Sequence, residues 1–381
     1  MNAGPAVTAL APLDVAARAD RVREVLAADS LDALLVTNLT NVRWLTGFTG
    51  SAGRAMVTAD ALTLVVDGRY GDQAEQQLAA AGVDADTRVG LTQTELHRHL
   101  LSAAPSSARL GIEAAHVTLS EHKRLSAVFH HQFVTTEQLI EGLRRTKDDG
   151  EVARIEAAGL IASQALADVF WMLDEQPSER AFQLALDRRM EDLGADEPSF
   201  PTIVASGPNA ALAHHHPDER RIMPGDSLVL DYGATVDGYH SDMTRTLLVG
   251  DVGGVDPWLV DAYAGVLAAQ AAGVAAVRPG ITGIDLDSVC RDHLAGIGLG
   301  EFYTHGTGHG VGLVIHETPW ATQSSADDIR LGDVVTVEPG AYREGVGGIR
   351  IEDTVVVTAD GCRPLTHTPK DLSCLRSPRT I

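Results

Sequence analysis

The stretch SLVLDYGATVDGYHSDMTRTLLVG, residues 227–250, decides how this chain is read. Apolar and β-branched residues flank an Asp237-Gly238 turn signal, which predicts two antiparallel strands. Whether the turn is centred on 236/237 or on 237/238, Asp231 and Asp242 come out opposite or diagonal. Side chains alternate with period two, so both registers place the two carboxylates on one face. A second pair of strand-like runs, VVTVEPGAY (334–342) and GIRIEDTVVV (348–357), carries Glu338 and Glu352 in the same style. The Gly-rich REGVGG connection between them leaves their register open. His309, in HGTGHGVGL (305–313), completes the set.

Carboxylates inside apolar strands are costly unless something cationic neutralises them. Facing one another they repel and raise each other's pKa, so a bare cluster is poorly stable. Four carboxylates and a neutral imidazole match two divalent metal ions in charge. An oxygen-rich set with one nitrogen suits Mn²⁺, and Co²⁺ or Zn²⁺ less decisively. Paired ions roughly 3.5–4 Å apart activate a water and polarise a carbonyl together, so the implied chemistry is hydrolysis.

The segments SGPNAALAHHHP, LDYGATVDGYHSDMTRT, HGTGHGVGLVIHE, TVEPGAY and GIRIED, in this order, resemble the metallopeptidases of the pita-bread fold. The resemblance is closest to the Xaa-Pro peptidases, aminopeptidase P and prolidase. These motifs span Pro198 to Asp353, and TNVRWLTGFTGSAGRAMVTADALTLVVDGRY is similar to the creatinase-type N-terminal domain of the same enzymes. The resemblance implies that Asp231, Asp242, His309, Glu338 and Glu352 are metal ligands, with Asp242 and Glu352 bridging. It also implies that Glu338 shuttles a proton, that His214 closes over the substrate, and that His305 and His316 flank the ligand histidine. Arg350 matches an active-site arginine. One departure is Ala213, where the family usually has proline, which weakens the choice of His214 from the run His214-His215-His216.

Bland readings stand beside these. His305 and His309 have helical i, i+4 spacing, but Gly306, Gly308, Gly310 and Gly312 favour a strand or loop approaching the site closely. His316 alone fits a hydrogen-bonded core histidine, and Arg350 a structural ion pair. His215 and His216 read as solvated loop residues. Arg69 and Tyr70 read as serving the N-terminal fold or a subunit contact.

The net charge of −22 over 381 residues, with no basic patch, argues against nucleic acid. Lys123-Arg124 and Arg144-Arg145 are isolated dipeptides. Cys290, Cys362 and Cys374 lack paired or metal-type spacing, which predicts free thiols in a reducing cytoplasm. No secretory signal is expected from MNAGPAVTALAPLD, and no apolar run is read as reaching the ~20 residues a membrane span needs.

The chain is expected to divide into a tail (1–12), an α/β creatinase-like domain (13–142) and an α+β pita-bread catalytic domain (143–381). Helices are predicted near 14–29 and 70–81, after residue 150, and at 178–193 and 257–277. Strands are predicted at LDALLVT, RAMVTA and LTLVVDG. The expected function is a dinuclear exopeptidase cutting between an N-terminal residue and proline, acting on proline-containing peptides and working as a homodimer. Prolidase is the alternative, and a catalytically silent pita-bread binding protein a more remote one. Creatinase is disfavoured by the full carboxylate set, and methionine aminopeptidase by the extra N-terminal domain. GFTGSAG and DGRY look more like aminopeptidase P, which favours a pocket open beyond the proline.

Overall fold

The structure, a computed structural model, describes residues 10–370 except Ser107 and His130. Most of the expected N-terminal tail and Cys374 lie outside the described residues. The described residues form two compact units, Pro12–Arg144 and residues 145–370, the latter joined by residues 10 and 11.

The first unit holds β1 (Ala33–Val36), β2 (Gly53–Thr58), β3 (Leu62–Asp67), β4 (Asp86–Gly90), β5 (Arg109–Glu113) and β6 (Gln132–Thr136). Its helices are α1 (Arg18–Ala28), α2 (Leu39–Thr46), α3 (Gly71–Ala81), α4 (Gln93–Ala103), α5 (Leu119–Val128) and α6 (Leu139–Arg144). The strands make one mixed sheet in the order β4-β3-β2-β1-β5-β6, with β1, β2 and β3 antiparallel and the outer pairings parallel. β1 is apolar throughout because it is central and buried on both faces. α1 starts at Arg18 rather than near residue 14, and its Ala17 N-cap offers no side-chain acceptor to draw the start earlier. Arg69 pairs with Asp67, and Tyr70 shares a hydrogen bond with Ser51, all within this unit.

The second unit opens with α7 (Asp149–Val169), started by a capping box between Asp148 and Glu151, and α8 (Glu179–Asp192). After β7 (Ile203–Ser206) come β8 (Ser227–Tyr232), β9 (Thr235–Val236), β10 (Tyr239–His240) and β11 (Met243–Leu248). Next are α9 (Pro257–Ala276) and α10 (Gly283–Gly296), then β12 (Gly308–Gly310), β13 (Glu317–Ala321) and β14 (Val334–Val337). The unit closes with β15 (Gly340–Arg343), β16 (Gly347–Arg350), β17 (Asp353–Thr358) and β18 (Gly361–Pro364). Two sheets result, β11-β8-β7 and β13-β12-β14-β17-β18, with short ribbons β9-β10 and β15-β16. One apolar cluster packs α7 and α8 on β8 and β11, and another packs α9 and α10 on β14, β16 and β17.

Two helical stretches, Asp149–Glu175 and Pro257–Ala276, are long and apolar enough to cross a membrane by length and composition. This corrects the reading that no run reaches that length. In α9, Leu259, Ala262, Val266 and Ala269 are buried in the core of the unit, which accounts for the apolar character without a bilayer.

The strand ladders fix the register of both hairpins. Met243 faces Tyr232 and Val236 faces Tyr239, so the first turn is centred on Asp237-Gly238, both with positive φ as a type I′ turn requires. In the second, Val337 faces Asp353 and Gly340 faces Arg350, and continuing either ladder by a step or two sets Glu338 opposite Glu352.

Arg245 on β11 ties these pieces together from inside the core, with 1% of its surface exposed. It pairs with Asp353 at 2.8 Å and donates to the carbonyls of Thr244, Glu352 and Thr368. Replacing Arg245 with alanine removes one of the two cations paired with the buried Asp353, takes a donor from three carbonyls and empties a packed volume. Denaturant unfolding should register a loss of about 3–5 kcal/mol; a loss below about 1 kcal/mol would show that Lys370, the other cation paired with Asp353, carries the charge balance alone.

Candidate metal centre and active site

The carboxylates are delivered by strands and by the breaks between strands. Asp231 lies on β8 opposite Thr244, and Asp242 falls in the gap between β10 and β11, diagonal to Asp231 and on the same face. Glu338 occupies the gap between β14 and β15, and Glu352 the gap between β16 and β17. Carboxylate oxygens of Asp231, Asp242 and Glu352 lie within 4.8 Å of one another. His309 Nε2 reaches to 3.5 Å from Asp242 and 3.4 Å from Glu338. The five residues named from sequence thus share one site.

His309 rides on β12, a strand and not a helix, whose glycines are required by close packing. A Cβ on Gly308 would collide with the Thr336 carbonyl, and one on Gly310 with the Thr318 carbonyl. Its Nδ1 is 2.9 Å from the Gly310 carbonyl and must donate there, which leaves the Nε2 lone pair facing the carboxylates. His305 is held in the same way by the Gly306 carbonyl at 2.8 Å, and its Nε2 accepts from Tyr342 Oη at 2.9 Å. Arg350 donates to Tyr342 Oη and to Asp231, both at 2.7 Å, and to Thr244 at 3.1 Å. Thr244 in turn donates to Glu352 at 2.7 Å. Arg350 is therefore an ion-pair partner of Asp231 within the site.

The electrostatics match the geometry. Burial first, then the charges of Glu352, Asp231 and Glu338, push Asp242 well above the usual carboxylate range. Burial, followed by Glu338 and Asp231, does the same to Glu352. Burial raises Glu338 to about 8. Burial depresses His309 to about 3 and His305 to about 4, and lowers His316, so these imidazoles stay neutral. Burial opposes the Arg350 cation, but Tyr342, Asp231 and Glu338 outweigh it and hold its pKa well above normal.

Asp231 Oδ1 and Glu352 Oε1 are buried and have no hydrogen-bond partner. Buried carboxylate oxygens without donors, a histidine lone pair aimed at the same point and an excess of negative charge fit divalent cations. Asp231, Asp242, His309, Glu338 and Glu352 would hold them.

A cavity of about 600 Å³ opens beside the cluster, walled by Phe200, Pro201, Ile203 and Trp320 and by His214, His216, His305 and His316. The His316 ring stands 4.4 Å from that of His309 and stacks at 6.5 Å on Trp320. His214 and His216 are exposed at its edge. His215 departs from the expected solvated role, since its Nε2 is 2.7 Å from the buried Glu179 carboxylate. Tyr342, Thr244, Thr336 and Trp320 were not singled out from sequence. Strand alternation opposite Asp231 points to Thr244, whereas nothing local distinguishes Tyr342 or Trp320.

Residues 153–359 match the metallopeptidase family M24, and residues 18–146 match the creatinase/prolidase N-terminal domain. The chain is 38% identical over 357 residues to a Bacillus subtilis peptidase, covering 93% of this chain and 99% of that one. Among solved structures it resembles an Xaa-Pro dipeptidase from Bacillus anthracis, with TM-score 0.89, 34% identity and coverage of 95% and 100% of the two chains. It also resembles an X-Pro aminopeptidase from Thermotoga maritima, with TM-score 0.84, 31% identity and coverage of 93% and 100%. The chain belongs to the M24 metallopeptidases, with a pita-bread catalytic domain and a creatinase-type N-terminal domain, and is a hydrolase.

The titrations set a pH test. Between 4.5 and about 8 the folded, metal-free chain keeps a proton on Glu338 that the unfolded chain has lost, so stability falls as pH rises through that window. Asp242 and Glu352 act in the same direction. His305 and His309 act oppositely, their stability contribution being lost as pH falls from 6.5 toward about 4 and about 3. Above 6.5 the imidazole contribution fades and the carboxylates dominate. With chelator, Tm should drop from pH 6.5 to 8, and saturating Mn²⁺ should abolish the drop by binding the deprotonated site. A flat metal-free Tm over that range contradicts this.

Proposed function

We propose that this chain is an Xaa-Pro aminopeptidase that uses two divalent metal ions, Mn²⁺ first among them with Co²⁺ or Zn²⁺ as alternatives. The observation that carries the proposal is the cluster of four carboxylates and a lone-pair-directed histidine beside an apolar-walled cavity. Phe200, Pro201, Ile203 and Trp320 suit a proline ring. The tertiary X-Pro amide lacks an N–H and has restricted conformations, so it calls for a dedicated site. The names of the Bacillus anthracis and Thermotoga maritima proteins support the same bond class.

Bound, the ions would supply Lewis-acid activation of water and of the scissile carbonyl. Glu338 takes the proton of the attacking water and returns it to the departing proline nitrogen. Thr336, 3.3 Å away, donates to Glu338 and orients it. His316, neutral at the cavity wall, offers an N–H to the developing oxyanion. His214 closes the rim, and His305 braces Tyr342, which with Asp231 fixes Arg350. The substrate's amine lies toward Asp242, which gives the exopeptidase habit.

Acceptance of longer peptides is supported by the charge of the cavity. Among the described residues lining it, Arg350 is the one Arg or Lys, and its guanidinium is committed to Asp231, Tyr342 and Thr244. A dipeptide's free carboxylate would find no uncommitted guanidinium or ammonium there. The dipeptidase reading is favoured by the name of the Bacillus anthracis structure. A homodimer extends the proposal. So does a reducing cytoplasm, with Cys290 buried as a thiol whose pKa burial pushes up to about 12.

Chelation should abolish hydrolysis of an Xaa-Pro-Yaa tripeptide and Mn²⁺ should restore it, with the tripeptide preferred over the Xaa-Pro dipeptide. Cleavage of the dipeptide alone makes the enzyme a prolidase, and full activity of a metal-free preparation defeats the proposal. Glu338→Gln should cost on the order of 10²-fold in kcat, with KM changed only a few-fold and metal content checked in parallel. A kcat within a few-fold of wild type would require another base.

A further inference from the structure

Glu179, the first residue of α8, is fully buried, and its carboxylate is spent on a single loop. It accepts from the Ser206 amide and hydroxyl, both at 2.7 Å, and from Asn209 Nδ2 at 3.2 Å to each oxygen. His215 Nε2 lies at 2.7 Å and the Asp218 amide at 3.4 Å. Every partner falls between residues 206 and 218, the segment that leaves β7 and passes along the cavity. Facing a carboxylate that takes only donors, His215 Nε2 must carry its hydrogen. The ligand atoms of Glu179, His215 and Asp218 lie close enough for a cation. The lone pairs of Glu179 are already taken by these donors, so the cluster is a hydrogen-bonded hub and not a metal site.

The loop is tightly bounded elsewhere. Gly207 has φ +49, and a Cβ there would collide with the paired side chains of Arg220 and Asp226. At the cavity, the Ala213 carbonyl accepts from Arg350 Nη1 at 3.4 Å. His214 is therefore bracketed on one side by Ala213, bound to the arginine of the metal cluster, and on the other by His215, bound to Glu179.

We propose that the Glu179–His215 contact is a latch that fixes the cavity-lining loop and sets the position of His214, making both partners positioning residues. Its catalytic consequence rests on the Xaa-Pro peptidase reading, whereas its effect on the loop does not.

The test uses metal-loaded, full-length protein with His215→Leu, which removes the donor, and His215→Gln, which restores an N–H of similar reach. Amide exchange across residues 206–218 should speed up about tenfold in the leucine variant, the scale of a lost charge-assisted hydrogen bond, and return toward wild type in the glutamine variant. On an Xaa-Pro-Yaa substrate, kcat/KM should fall about tenfold for His215→Leu and stay within about threefold for His215→Gln. The double variant His214→Ala/His215→Leu should be no worse than His214→Ala, because one residue acts through the other. Unchanged exchange in His215→Leu overturns the latch. Faster exchange with unchanged kcat/KM, or losses that multiply in the double variant, overturns its positioning of His214. A wild-type enzyme that cleaves no Xaa-Pro bond would defeat the peptidase reading, and the exchange data would still decide the latch.

Discussion

Mutual repulsion among Asp231, Asp242, Glu338 and Glu352 is the constraint on which the catalytic unit depends. Two like charges about 4 Å apart cost about 4 kcal/mol even at an effective dielectric near 20. One guanidinium, Arg350, offsets roughly one such pair and leaves the rest uncompensated. Protonation is the metal-free answer, seen in the upward shifts of Asp242, Glu338 and Glu352. Cations are the answer that keeps the oxygens available for chemistry. The neutral state of His309 belongs to the same balance, because an imidazolium would repel the ions it is placed to bind.

The scaffold turns this constraint into geometry by placing ligands where ladders stop. Asp242, Glu338 and Glu352 sit between short ribbons and longer strands, where the backbone is free to turn a side chain inward. Fixed dipoles then trim the options of each group. The Gly310 and Gly306 carbonyls choose the tautomers of His309 and His305, while Thr244 and Thr336 hold one oxygen each of Glu352 and Glu338. Arg245 carries the arrangement into the core, since it binds the backbone of Glu352 and the side chain of Asp353 at once.

Much of the fold and the centre was legible in sequence because it rests on local rules. Period-two alternation put Asp231 and Asp242 on one face in either register, and the Asp237-Gly238 turn then made them diagonal. The facing of Glu338 and Glu352 was not legible, because a Gly-rich connection leaves hairpin register open until both ladders are seen. His215 was misread as solvated because its partner, Glu179, is 36 positions away and only tertiary folding joins them. The apolar length of α9 was underrated in the sequence, where no run was read as reaching a span's length, and its apolar residues serve a core. Tyr342 lies in a quoted motif, yet its tie to Arg350 and His305 depends on side-chain reach that no spacing rule encodes.

The central claim is that these carboxylates exist to be neutralised by paired cations. Its most direct measurement is metal stoichiometry at neutral pH after equilibrium dialysis against Mn²⁺, in wild type and in Asp242→Asn. Two ions per chain, with at least one lost in the variant, is the result expected. Wild-type protein that binds no ion, or an Asp242→Asn protein that still binds two, would contradict it.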